Sequence, residues 1–158
     1  MLEEKNIDYR VVKKGDLIKK GELVISVLHP YVGYVGDSNG GSLVVYIKGE
    51  EISALFTGDI SKVEEEEILK TYRGSLGEEL MLDVDVLKVA HHGSKNSSSK
   101  NFLEIVKPDI AVISCGKMNS YGHPHEETLK NLEDVGVEII STSQAGAVII
   151  RRDGVEPM

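Results

Sequence analysis

The chain has a single cysteine, Cys115, no apolar run of membrane-spanning length, and fewer basic than acidic residues. Each shortage removes a class of protein. One thiol cannot close an internal disulfide, and Cys115 lies in a strand-like apolar run where a small core side chain is its expected role. No stretch approaches the ~20 apolar residues of a membrane helix, so direct membrane insertion by this chain is not expected. The opening Met1-Leu2-Glu3-Glu4-Lys5 is acidic and lacks the basic and apolar regions of a signal peptide, which leaves the compartment open. With 18 Lys and Arg against 26 Asp and Glu, the net charge is −8. That balance argues against tight, passive binding of a nucleic-acid backbone. It does not exclude a metal site acting on phosphates, because a bound cation dominates its local field.

What is present fits one soluble globular domain over residues 1–158, with 41% hydrophobic and 28% charged residues. Asp8–Val12 reads as a short strand, Lys13–Asp16 as a turn, and Leu17–Gly21 as a lead into a second turn at Glu22. Leu23–Leu28 is a strand ending at His29-Pro30. Residues 31–41 hold four glycines, an Asp and an Asn, and form a loop. Ser42–Lys48 and Glu51–Phe56 make an antiparallel hairpin around Gly49-Glu50. Ser61 caps a helix whose early turns carry Glu64 to Glu67, where carboxylates suit the macrodipole. A loop over Gly74–Leu82 leads to the strand-like run Val84–Ala90. A helix from about Lys100 to Val106 is stopped by Pro108, and Ile110–Gly116 is the next strand. Pro124 opens a helix in its first turn, with an apolar face of Leu129, Leu132 and Val135, ended by Gly136. Val137–Ile140 and Ala147–Ile150 are final strands around the Gln144-Ala145-Gly146 turn. Strands first, then strand–helix alternation, predicts an α/β fold with a mixed sheet.

Three of these strands are followed by groups able to bind a cation. Ile52–Phe56 leads to Thr57-Gly58-Asp59, Val84–Ala90 to His91-His92-Gly93-Ser94, and Ile110–Gly116 to Tyr121-Gly122-His123-Pro124-His125. Ligands collect at strand ends in α/β proteins, and imidazole with carboxylate is the donor set of zinc, manganese and iron sites. Alone, Asp59 would be read as a helix cap; beside neutral imidazoles it is the carboxylate that neutralises a dication, and its two oxygens can bridge two ions. His91 and His92 can face one site only if the strand has ended before them, which Gly93 allows. The plainest alternative makes one a ligand and the other a structural imidazole. Lys95 is either a contact for an anionic substrate or a solvated lysine. His125 is expected to face solvent or substrate, and the isolated His29 to be structural.

The segment Asp85-Val86-Leu87-Lys88-Val89-Ala90-His91-His92-Gly93-Ser94-Lys95, with Ser97-Ser98, Phe102-Leu103, Val106-Lys107-Pro108 and Asn119…Tyr121-Gly122-His123-Pro124, resembles the C-terminal metallo-β-lactamase-like domain of the ComEC competence family. Ser42-Leu43-Val44, Leu55-Phe56-Thr57-Gly58-Asp59, Gly15-Asp16 and Leu28-His29-Pro30 fit the same pattern, which runs over nearly the whole chain. The resemblance implies an αββα sandwich carrying a metal-dependent hydrolase or nuclease site that serves DNA uptake in transformation by degrading the non-transported strand. By matching position, Asp59 resembles the bridging aspartate, and His91, His92 and His123 the later histidine ligands of zinc or manganese. Asp59, His92 and Lys95 are the catalytic candidates. The motif leaves open which of His91 and His92 binds metal. In a full-length family member this would be a soluble domain of a membrane protein, on the outer side.

One departure matters. The superfamily's first ligand motif, His-x-His-x-Asp-His, does not occur in these residues. The expectation is therefore the C-terminal half to two-thirds of the sandwich, with a weak or inactive metal site unless a missing N-terminal segment is supplied. The alternatives are a non-catalytic half-domain that binds a partner or forms a homodimer across its uncovered face, and a hydrolase of small esters or phosphodiesters.

Overall fold

The computed structural model describes residues 5, 7–74, 82–151 and 154–157. Its centre is a seven-stranded mixed sheet in sequential order: β1 (Leu17–Lys20), β2 (Leu23–His29), β3 (Val44–Lys48), β4 (Ser53–Phe56), β5 (Val86–Lys88), β6 (Ile110–Ile113) and β7 (Glu138–Ser141). β1 to β4 are antiparallel neighbours, with short turns between β1 and β2 and between β3 and β4 and the glycine-rich loop of residues 30–43 between β2 and β3, and β4 to β7 run parallel. The parallel strands are linked through α1 (Lys62–Gly74), α2 (Lys100–Val106) and α3 (Glu126–Asp134). Successive right-handed crossovers that step one way along a sheet place their helices on one face, and α2 lies against both α1 and α3.

The register separates the two faces. Tyr46, Leu55, Leu87, Ala111 and Ile139 are cross-strand neighbours in one row. They belong to the core with Ile68 and Leu69 of α1, Phe102 and Leu103 of α2, and Leu129 and Leu132 of α3. One residue along, Val45, Phe56, Lys88, Val112 and Ile140 form the opposite row. None of these belongs to that core, and Phe56 is 43% exposed. The described residues thus supply a large sheet covered by helices on one side. This is the α/β architecture expected of part of an αββα sandwich.

Local chemistry explains the helix starts. Ser61 Oγ accepts from Val63 N, while Glu64 Oε2 receives both the Ser61 N–H and the Ser61 hydroxyl, a reciprocal capping box. Ser99 Oγ accepts from Phe102 N at the start of α2. Glu65, fully buried, accepts the backbone N–H groups of Ser98 and Ser99 and so ties α1 to the beginning of α2.

Several expectations are corrected. Asp8–Val12 is not a strand: it has no strand beside it and Val11 is largely exposed, so strand-like composition found no partner. Leu17–Lys20, expected only as a lead into a turn, is the edge strand β1, formed by pairing with β2. The last two expected strands are present, but the Gln144-Ala145-Gly146 turn between them is helical and they lie in different sheets. β7 runs into a short helix, α4 (Thr142–Ala145), capped by Ser141 Oγ, and β8 (Val148–Arg151) pairs instead with β9 (Gly154–Pro157) as a separate two-stranded sheet. Pro124 lies outside α3, whose N-cap is His125. Residues 75–81 of the expected loop lie outside the described residues. Among the described residues no helix is long and apolar enough to cross a membrane.

Candidate metal centre

The loops after β4, β5 and β6 meet at one end of the sheet and are tied to one another. His91 N donates to Gly58 O at 3.0 Å, and His125 N to Gly93 O at 2.9 Å. Asp59 N donates to Ser42 Oγ at 3.0 Å. Gly58 and Gly93 have positive φ, and a side chain at either would strike its neighbour. A Cβ would lie 2.7 Å from Ser42 Cβ at Gly58, and 2.6 Å from Pro124 Cβ at Gly93. Both glycines are therefore fixed by sterics at the points where the loops cross.

The adjacent histidines are oriented by backbone conformation. β5 ends at Lys88, and Ala90–Gly93 form a short turn in which His91 (φ 47°, ψ 43°) and His92 (φ 56°, ψ 21°) are both left-handed. Strand alternation has ended, so both rings stand on one side. Their centroids are 6.5 Å apart, and His123 lies 5.8 Å from His91 and 6.4 Å from His92. Positive φ in non-glycine residues is costly and concentrates at functional sites.

His92 bridges backbone and carboxylate. Its Nδ1 lies 2.6 Å from Ser114 O, a carbonyl that can only accept, so Nδ1 carries the proton and donates. In the neutral ring that leaves Nε2 bare, and Nε2 is 3.7 Å from Asp59 Oδ1. Two donors at ~2.0–2.2 Å from one tetrahedral ion stand about 3.3–3.6 Å apart. The pair therefore fits a shared divalent ion in donor type, tautomer and spacing, with the ring-orienting backbone bond that metal-binding histidines normally have. Among the described residues no three His, Cys, Asp or Glu side chains are close enough to hold an ion together. Asp59 and His92 make a two-donor arm, with His91 and His123 flanking it.

His123 is held by Asn119, whose Nδ2 donates to His123 O at 2.6 Å and to Gly116 O at 2.9 Å, while Oδ1 accepts from His123 N at 2.9 Å. Burial lowers the His123 pKa, and the neighbouring His125, His91 and His92 push it the same way against the opposing pull of Asp59. The ring is thus kept neutral, the form that binds metal.

The remaining candidates fall as follows. Lys95 is exposed; its backbone N–H donates to His125 Nδ1 at 3.2 Å, and its charge acts on Glu127. His125, expected to face solvent or substrate, packs with its ring centroid 4.9 Å from that of His123, at the edge of the cluster. His29 is buried away from this cluster, with Nε2 2.7 Å from Gly40 O. Cys115 packs against the core with Sγ 3.4 Å from Ser141 Oγ. Sequence reasoning passed over Lys88, which is half-buried on the uncovered face; desolvation lowers its pKa and the Asp59 charge opposes that. A lysine interrupting an apolar strand was its signal. It also missed the anchoring by Ser42 and the Ser114 carbonyl, which connect loops distant in sequence, and by Asn119, which closes its own loop.

Comparison with known proteins finds a family and several relatives. The model of the family described as metallo-beta-lactamase superfamily matches residues 6–117. ComE operon protein 3 of Bacillus subtilis is 33% identical over 148 residues, covering 94% of this chain and 18% of that protein. Competence protein ComA of Neisseria gonorrhoeae is 36% identical over 112 residues, 71% of this chain and 15% of that protein. Recombination protein 2 of Haemophilus influenzae is 32% identical over 126 residues, 80% and 15% respectively. The chain spans less than a fifth of the length of these relatives.

Proposed function

Because this chain belongs to the metallo-β-lactamase superfamily and is similar to competence proteins, we propose that it carries the C-terminal ligands of a divalent-metal hydrolase site that cleaves DNA phosphodiesters during DNA uptake. Asp59, His91, His92 and His123 would hold zinc or manganese. The observation that carries this reading is the bare Nε2 of His92 facing Asp59 Oδ1 at 3.7 Å, with Nδ1 held by the Ser114 carbonyl. A divalent cation there supplies Lewis-acid polarisation and an acidified water. Asp59 holds and neutralises, His92 and His123 orient, and Lys95 steadies an anionic substrate. One carboxylate and three imidazoles are few donors for a pair of ions, so residues 1–158 alone should cleave weakly. Donors from a His-x-His-x-Asp-His segment would complete the site, within a longer membrane-associated protein.

The test is a manganese-supplemented nuclease assay on linear DNA, with and without such a segment added in trans. Cleavage should appear with the segment and fall by about 10²–10³ or more in Asp59→Ala. Cleavage indifferent to Asp59→Ala, or none with the segment present, would refute the reading. A second reading rests on the uncovered row around Phe56: association with a second copy, or with another sheet, across that face.

A further inference from the structure

Beside His92 and His123 opens a cleft of about 260 Å³ that also touches Ser114, Gly116, Asn119 and Tyr121. Tyr121 is 76% exposed, and its ring stacks on His123 at 5.7 Å between centroids and 23° between planes. One ring face is therefore backed by a site residue. Tyr121 also lies inside the loop whose ends Asn119 staples together through Gly116 O and both backbone groups of His123. An exposed aromatic on a tethered loop is a pre-positioned surface that loses little entropy on binding.

The chemistry of the cleft specifies its occupant. No lysine or arginine lines it, and the chain carries −8 overall, so a phosphate backbone gains little there. Its polar atoms are largely engaged already. Ser114 O faces His92 Nδ1, Cys115 N and O both bond Thr142 Oγ1, and Gly116 O and the Asn119 amide are used within the loop. Little remains to read the edge of a base, whereas the face of a ring is available. We propose that Tyr121, backed by His123, is a stacking platform for one unpaired nucleobase next to the scissile phosphodiester, holding it by its face without reading its identity. This rests on the phosphodiesterase reading of the adjacent site. Stacking needs a base outside a duplex, and every base has a π-face, so such binding tolerates any sequence.

The experiment measures equilibrium binding of fluorescein-labelled single-stranded oligonucleotides by anisotropy, in EDTA so that no cleavage intervenes. Wild type, Tyr121→Ala and Tyr121→Phe are compared on homo-oligomers of each base and on a strand with abasic positions. Tyr121→Ala should weaken binding about 5- to 150-fold, and Tyr121→Phe should stay within about twofold of wild type. Abasic positions should weaken wild type as the alanine does, and the four homo-oligomers should bind within about tenfold of one another. No binding by wild type, equal binding by Tyr121→Ala, or abasic strands bound as tightly as base-bearing ones would overturn the proposal. The two readings fail separately. Tyr121-dependent binding without Asp59-dependent cleavage leaves the platform standing and removes the phosphodiesterase; Asp59-dependent cleavage with Tyr121-independent binding does the reverse.

Discussion

Glu65 gives the sharpest test of the packing, because two forces on it oppose each other. Its carboxylate is fully buried between α1 and the start of α2 and accepts N–H bonds from Ser98 and Ser99. Burial pushes its pKa from 4.5 up to about 7, against those hydrogen bonds and the pull of Lys62. The folded chain therefore holds a proton here that the unfolded chain has released over that interval. The stability contribution is complete below pH 4.5 and is lost as pH rises through about 7. At about 1.4 kcal/mol per pH unit, the loss is about 3 kcal/mol, or a fall in Tm of roughly 6–12 °C for a chain of this size. Glu65→Gln removes the titration while keeping one acceptor for the two backbone donors, so near pH 4.5 it is less stable than wild type by about 1–3 kcal/mol, and the gap closes or reverses as pH rises. The informative quantity is the difference between wild-type and variant stability as a function of pH. Glu64, where burial raises the pKa but the hydrogen bonds with Ser61 and Tyr34 together lower it further, and Asp85, lowered by its Ser53 hydrogen bonds, act in more acidic solution and in the opposite direction. They are common to both proteins and cancel in the difference. Urea titrations at pH values from about 4.5 to about 8 measure it. A flat difference, or wild type gaining stability relative to the variant as pH rises, would mean that the two N–H donors outweigh desolvation, and would refute the reasoning.

Two more outcomes follow from the site and the uncovered sheet face. Asn119→Ala removes all three hydrogen bonds that hold the His123 loop; it should cost about 1–3 kcal/mol in thermal unfolding and weaken manganese binding about 10–100-fold by calorimetry. Unchanged metal affinity would show that His123 needs no anchoring. Phe56→Glu places a charge in the uncovered row and should reduce self-association in sedimentation velocity; a wild-type chain that sediments strictly as a monomer would count against the association reading.

Much of this fold was legible because its signals are local. The β3–β4 hairpin, whose turn falls at Glu50-Glu51 one residue beyond the expected Gly49-Glu50, the helix cap at Ser61 and the stop at Pro108 depend on a few neighbouring residues. Misreadings came where pairing decides. Asp8–Val12 has strand composition and no neighbour, while Leu17–Lys20 has two lysines and four exposed residues yet is a strand because β2 lies beside it. Between the strands at Val137–Ile140 and Ala147–Ile150 a turn is expected at Gln144-Ala145-Gly146, but the Ser141 cap makes it the short helix α4, and the two strands lie in different sheets.

The sequence by itself determined the family and the groups that gather at the site: a carboxylate and imidazoles each placed just beyond an apolar strand, with glycines beside them. Parallel strands of one sheet must end on the same side, so Asp59, His91, His92 and His123 were bound to approach one another. The tertiary structure decided how each group presents itself. The left-handed backbone at His91 and His92 turns both rings to one side, the Ser114 carbonyl fixes the His92 tautomer, and Asn119 holds the loop on which Tyr121 stacks against His123. The bonds from His92 to the Ser114 carbonyl and from Lys95 N to His125 join loops 22 and 30 residues apart in the chain, and no periodicity or local propensity records such contacts.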